Sequence, residues 1–258
     1  MAYKDYVLSE SPVAYWQLES GAATEYDLVN GIPAVRFGSI GPRDTLFPSS
    51  TGADFKTNGD YYQVSPANMT NIYWDGSHYS VEWLCQADSL NQDTIFSQRS
   101  GSATSDQGLS IFAGASGAGL VSVDMGPSAT RKTFSSYVWP MNQYMHNVFT
   151  YNANSFTGRL YINGAHVGSA QWASQAPPAN VPPLLIGMLG GNTSYTWDGI
   201  ITNLSIYKKQ LSDAKVKEHY LASGARGVNM FIDGKMQRRP VKTFNGTSAD
   251  YVAIRRPA

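Results

Sequence analysis

The 258-residue chain carries a single cysteine, Cys85, so no disulfide can form within it and packing alone must hold the fold. Charge is sparse. Acidic and basic side chains make up 15% of the residues, 19 of each sign, and this balance supplies no field to draw nucleic acid or an anionic surface. No stretch is long and apolar enough to cross a bilayer, and the opening MAYKDYVLSESP lacks the apolar run of a secretory signal. The expectation is a chain made and kept in solution, with no membrane insertion and no nucleic-acid partner. Glutamate is scarce too. Glu10, Glu19, Glu25, Glu82 and Glu218 are scattered, and Glu82 has no acidic residue two positions away on either side. The paired carboxylates that glycoside hydrolysis needs on one strand are therefore missing. His78, His146, His166 and His219 show no metal-ligand spacing, and no GxSxG elbow marks a nucleophilic serine. No catalytic residue is assigned, and the chain is expected not to be an enzyme.

What is abundant describes a β-protein. With 24 Gly, 13 Pro and 12% aromatic residues, the composition suits many short strands joined by tight turns, with rings on half-buried sheet faces. Strand signals run from Val13 to Leu18, Tyr61 to Val64, Ser80 to Gln86, Thr94 to Gln98, Leu109 to Ala113, Leu120 to Asp124, Asn147 to Asn152, Leu184 to Met188 and Ile200 to Tyr207. Between them RLYINGAHVG, Arg159 to Gly168, reads as a hairpin, because Asn163-Gly164 suits the two positive φ angles of a type I′ turn. One helix has a full signature: Ser212 as cap, Leu211 spaced for a hydrophobic staple with Val216, Asp213 in the first turn and Gly224 as terminator. Val216 and Tyr220 share its inner face. Strand after strand with one late helix predicts an all-β fold, an antiparallel two-sheet β-sandwich or jelly roll with a short C-terminal helix.

The chain divides at residue 224. Residues 225–258 hold seven basic against two acidic side chains, while residues 1–224 hold twelve against seventeen. This short, basic, β-rich extension, with Arg238, Arg239, Arg255 and Arg256, reads either as closing strands of the sandwich or as an arm that docks on an acidic neighbour. Its FNGTSADYVAI, Phe244 to Ile254, echoes FKTNGDYYQV at Phe55 to Val64.

Five segments in order, YVLSESPVAYWQLES, DFKTNGDYYQVS, YSVEWLCQAD, YMHNVFTYN with RLYINGAHVG, and WDGIITNLSIYKKQLSDAKVKEHY, resemble the laminin-G-like, concanavalin A-like superfamily in the form common in bacteriophage tail and other virion proteins. The resemblance covers roughly Tyr3 to Tyr220. It implies that Trp16, Trp83, Tyr161 and Trp197 are packing residues, and that His146 and His219 have hydrogen-bonded structural roles. Thr202 and Asn203 stand where many relatives carry acidic residues, so a cation site at that point is not carried over. The fold hosts lectins, enzymes and scaffolds alike.

Sugar binding calls for exposed rings beside amides and carboxylates. Trp74, Asp75, Trp139, Asn142, Trp172, Asn192 and Tyr195 fall between strand signals, where a sandwich displays binding loops, and they form the expected glycan set. Asp54, Asn58 and Asp60 could offer oxygen ligands to a calcium ion; no other cofactor is implied. The reading is a non-enzymatic bacteriophage virion protein, from tail, fibre, baseplate or capsid surface, that recognises a cell-surface glycan. It would be located in the virion beside other virion proteins as a homo-oligomer, a trimer being one option. A purely structural cementing protein and a bacterial surface lectin are the alternatives.

Overall fold

The computed structural model describes residues 2–45, 51–56, 58–90, 93–99, 108–113, 120–126, 130–173, 178, 180–190, 192–225, 231–232 and 235–236. Two antiparallel sheets face each other. The first runs in the order β14 (Ala165–Gln171), β13 (Thr157–Ile162), β12 (Met145–Asn152), β7 (Tyr79–Ala87), β18 (Gly199–Tyr207), β5 (Thr51–Phe55) and β4 (Gly41–Asp44), with β1 (Ala14–Trp16) also on β18. The second runs β11 (Thr130–Val138), β10 (Leu120–Gly126), β9 (Gly108–Ala113), β8 (Asp93–Arg99), β15 (Leu184–Ile186), β6 (Tyr61–Val64), β3 (Pro33–Phe37) and β2 (Thr24–Tyr26). A small ribbon, β16 (Met188–Leu189) with β17 (Asn192–Thr196), is added.

The sandwich core comes from alternate residues of both sheets. On β7 these are Tyr79, Val81, Trp83, Cys85 and Ala87, which meet Ile111, Val123 and Ile186 of the second sheet in one buried cluster. Burial pushes the Cys85 thiol pKa up, as expected of an unreactive core thiol. On its edge away from β7, strand β18 serves two neighbours: Gly199–Ile201 pair with β5 and Leu204–Ile206 with β1. The change occurs at Asn203, whose φ of 53° sits at a register shift against β7, a bulge that Asn tolerates better than a branched residue.

Every residue of β7 is buried, including the polar Ser80, Glu82 and Gln86 that alternate with its core residues. The reason is a third layer. Helix α2 (Asp213–Ser223) and an unanticipated N-terminal helix, α1 (Tyr3–Ser9), lie over the outer side of the first sheet, where Tyr3, Val7, Leu84, Val148, Val216 and Tyr220 form a second cluster. Helix α2 ends as its sequence requires: the Ser212 hydroxyl accepts the Lys215 N–H at 3.3 Å, and Gly224 caps the C-terminus with φ 63°. Replacing Ser212 by Ala is expected to cost about 1 kcal/mol, read as a lower denaturation midpoint with an unchanged slope. The Asn163-Gly164 turn has φ values of 50° and 74°, as its type demands. In the extension, Phe231–Ile232 pair with Lys235–Met236; Arg238, Arg239, Arg255, Arg256 and the Phe244 to Ile254 echo lie outside the described residues.

Candidate functional site

Three of the expected glycan contacts are core residues. Trp74, Trp139 and Trp172 are at most 2% exposed. Trp74 meets Tyr151 edge-on at 5.9 Å, Trp139 sits between Trp83 and Trp197, and Trp172 packs on Phe149 while its indole N–H donates to the Thr130 carbonyl at 2.8 Å. These rings turn inward into the core cluster, so they cannot stack on a sugar. Their polar companions are held separately. Asp75 pairs with Lys208 at 2.7 Å, Asn142 sits at φ 57° with its N–H on the Ala87 carbonyl, and the Asn192 side chain accepts the Ser194 N–H. Tyr195, half-buried on the ribbon, packs against Phe112 and Leu189.

The side chains of the loop expected to hold calcium have protein partners. The buried Asp54 carboxylate faces Arg43 Nη1 at 3.3 Å and Lys56 Nζ at 2.7 Å. Asp60 accepts the backbone N–H groups of Ser39 and Lys56, and Asn58 Oδ1 accepts the Thr196 hydroxyl. Hydrogen bonds and ion pairs that brace the turn engage all three side chains. Among the described residues no group of three His, Cys, Asp or Glu side chains is gathered for a metal.

The exposed rings lie instead on the solvent face of the second sheet, at its β2 end. Strand pairing fixes which side chains share that face. Phe37 lies opposite Tyr61, Val35 opposite Gln63 and Thr24, and Pro33 opposite Tyr26. Alternation then sends Ala34, Tyr62 and Val64 into the core. Phe37 and Tyr61 stack with centroids 4.6 Å apart and planes within 5°, and burial raises the Tyr61 pKa. Phe37 is 42% exposed, Val35 43% and Tyr26 63%. The hairpin carrying them is fixed at its tip by Asp27, whose carboxylate accepts the N–H groups of Val29, Asn30 and Ile32. Beyond β6 the 3₁₀ turn Pro66–Asn68 brings the Asn68 amide to the Ser65 hydroxyl at 3.4 Å.

Pro33, Val35, Phe37, Gln63, Ser65 and Asn68 together line a groove of about 210 Å³. That is less than the roughly 300–1,000 Å³ of a drug-sized ligand's pocket, and suits one small ring at a time. The Gln63 side-chain amide has no hydrogen-bond partner among the described residues. Sequence reasoning missed Phe37 because it sought rings in loops. The available signal was GIPAVRFGSI, in which Pro33, Val35 and Phe37 form an apolar row whose alternate positions are Ala34 and Arg36.

A second constellation lies under the helices. Buried Glu82 of β7 accepts Tyr3 Oη at 2.8 Å, Tyr207 Oη at 2.7 Å, His146 Nε2 at 2.8 Å and His219 Nδ1 at 2.9 Å. Burial raises its carboxyl pKa, but the His219 charge and the imidazole hydrogen bonds outweigh it and hold the carboxyl well below the usual range. Burial likewise lowers His219, and Glu82 overcomes this to raise it. Fully enclosed, this cluster ties α1 and α2 to three strands. It gives His146 and His219 the structural roles their sequence context implied.

Residues 56–217 match the family model of the concanavalin A-like lectin/glucanases superfamily, and the chain belongs to that family. Pro33, Val35 and Phe37 precede the matched segment, whereas Gln63, Ser65 and Asn68 lie within it. No curated protein matches the chain in sequence. Among solved structures it is similar to domain 4 of AbnA, an extracellular arabinanase from Geobacillus stearothermophilus, in complex with arabinotriose: 16% identity, TM-score 0.60, 81% of this chain and 98% of that one. It also resembles the binding domain of Paraclostridial Mosquitocidal Protein 1, with 17% identity, TM-score 0.63, and 83% and 52% of the two chains. A further likeness is to the ligand-binding domain of botulinum neurotoxin serotype D in complex with N-acetylneuraminic acid, with 17% identity, TM-score 0.59, and 84% and 52%. The chain spans about half the length of these two toxin domains. The likeness establishes the sandwich fold.

Proposed function

We propose that the chain is a non-catalytic carbohydrate-binding module whose ligand lies in the Phe37 groove. The observation that carries this reading is a row of solvent-facing apolar side chains beside the uncommitted Gln63 amide. The apolar face of a pyranose stacks on such a ring while amides and hydroxyls take its hydroxyl groups. Neighbouring folds solved with arabinotriose and N-acetylneuraminic acid add support. The non-catalytic part is supported by Glu82, which is sealed from solvent by tyrosines and histidines. For the setting, the resemblance of the five ordered segments to phage tail modules supports a virion surface, where repetition of the module in a homo-oligomer would raise avidity.

Exposed Leu28 and Val29, in the turn of the hairpin that carries Phe37, would equally suit a protein contact, which is the basis of a purely cementing role. A glycan array with the full chain and its Phe37→Ala variant separates the two. The binding reading expects a signal that falls about tenfold in Phe37→Ala, the order of one lost stacking contact, with thermal stability nearly unchanged. Absence of any glycan signal would transfer the function to cementing.

A further inference from the structure

We infer that the groove selects uncharged sugars and engages a short chain of them; this rests on the groove being a glycan site. None of its six lining residues is charged. The charged side chains closest in the strand pairing are turned away and occupied. Arg36 alternates to the inner side and gives its guanidinium to the carbonyls of Gly21 and Ile40. Glu25 accepts the Ser20 hydroxyl and backbone N–H. Asp27 is held by its turn, and Asp60 by the Ser39 and Lys56 N–H groups. A uronate or sialate carboxylate entering the groove would lose hydration without meeting a cation, and an amino sugar would meet no carboxylate. Hydroxyl and acetamido groups lose little, because Gln63, Ser65 and Asn68 can replace water as hydrogen-bond partners.

The length of the track follows from the register. Tyr26 lies opposite Pro33, four residues along β3 from Phe37, which at about 3.4 Å per residue separates the two rings by roughly 14 Å along the strand. That is longer than one sugar ring, so Phe37 and Tyr26 mark the ends of a site for an oligosaccharide, with the groove holding one unit between them.

The test is titration calorimetry of the full chain with three probes: a neutral monosaccharide, neutral oligosaccharides of the same sugar, and matched oligosaccharides carrying a uronate or sialate, at low and high salt. Hits from the array define the sugar. The expected result is that neutral chains bind about tenfold more tightly than acidic ones, gain affinity with length, lose that gain in Tyr26→Ala, and do not respond to salt. Gln63→Lys, folded by its melting profile, is expected to shift preference towards the acidic chains. Acidic chains bound as tightly as neutral ones, and lost in Phe37→Ala, would overturn the selectivity and leave the groove a glycan site. Affinity independent of length or of Tyr26 would overturn the extended track. No binding to any probe would overturn the glycan reading and this inference together.

Discussion

Replacing Glu82 by Ala is expected to destabilise the protein by about 3–5 kcal/mol, the usual cost of removing one member of a buried charged pair. Four donors from α1, β12, β18 and α2 would lose their acceptor, and buried hydroxyl and imidazole groups left unpaired account for the size of the effect. The pH dependence has a defined sign. The His219 pKa is raised above its ordinary 6.5, so its contribution is complete below 6.5 and lost as pH rises through the raised value. The Glu82 pKa is depressed from 4.5, so its contribution is present above 4.5 and lost only as pH falls through the lowered value. The stability difference between the native chain and Glu82→Gln should therefore be largest in mildly acidic solution and shrink on the alkaline side. Melting profiles across pH check this, and a difference that grows steadily with pH would contradict it.

Replacing Trp139 by Ala is expected to cost a similar 3–5 kcal/mol, the range for emptying a large core ring, and to lower the melting temperature on the order of 10 °C. Trp139 lies 6.5 Å from Trp83 and 5.9 Å from Trp197 between ring centres, so its loss opens a cavity between the two remaining indoles. Loss of glycan binding in this variant would follow loss of fold. The contrast is Phe37→Ala, which empties no core space. A Trp139→Ala chain of native stability would show that the ring is not a core residue.

The contrast between these two rings shows what the sequence could reveal. Strand positions were readable because apolar alternation, as in Val81, Trp83 and Cys85, is imposed by the inner sheet face. The Asn163-Gly164 turn and the Ser212 and Gly224 caps were readable because each meets a local backbone demand. Helix α1 was not: YKDYVLS is only seven residues long, and its position depends on Tyr3 reaching Glu82, 79 residues away. A ring between strands can equally enter the core or face solvent. Local sequence therefore gave no basis for placing Trp74, Trp139 and Trp172 inside. The groove required strand pairing, since Phe37 and Tyr61 become neighbours only once β3 is aligned with β6.

The most direct measurement of the central claim is amide chemical-shift mapping of the labelled protein during addition of a neutral oligosaccharide. The account predicts saturable shifts concentrated on Val35, Phe37, Tyr61, Gln63 and Asn68, which need about tenfold more ligand to saturate in Phe37→Ala. Shifts centred on the loops of Trp74 and Trp139, with the β3 and β6 resonances unmoved, would contradict it.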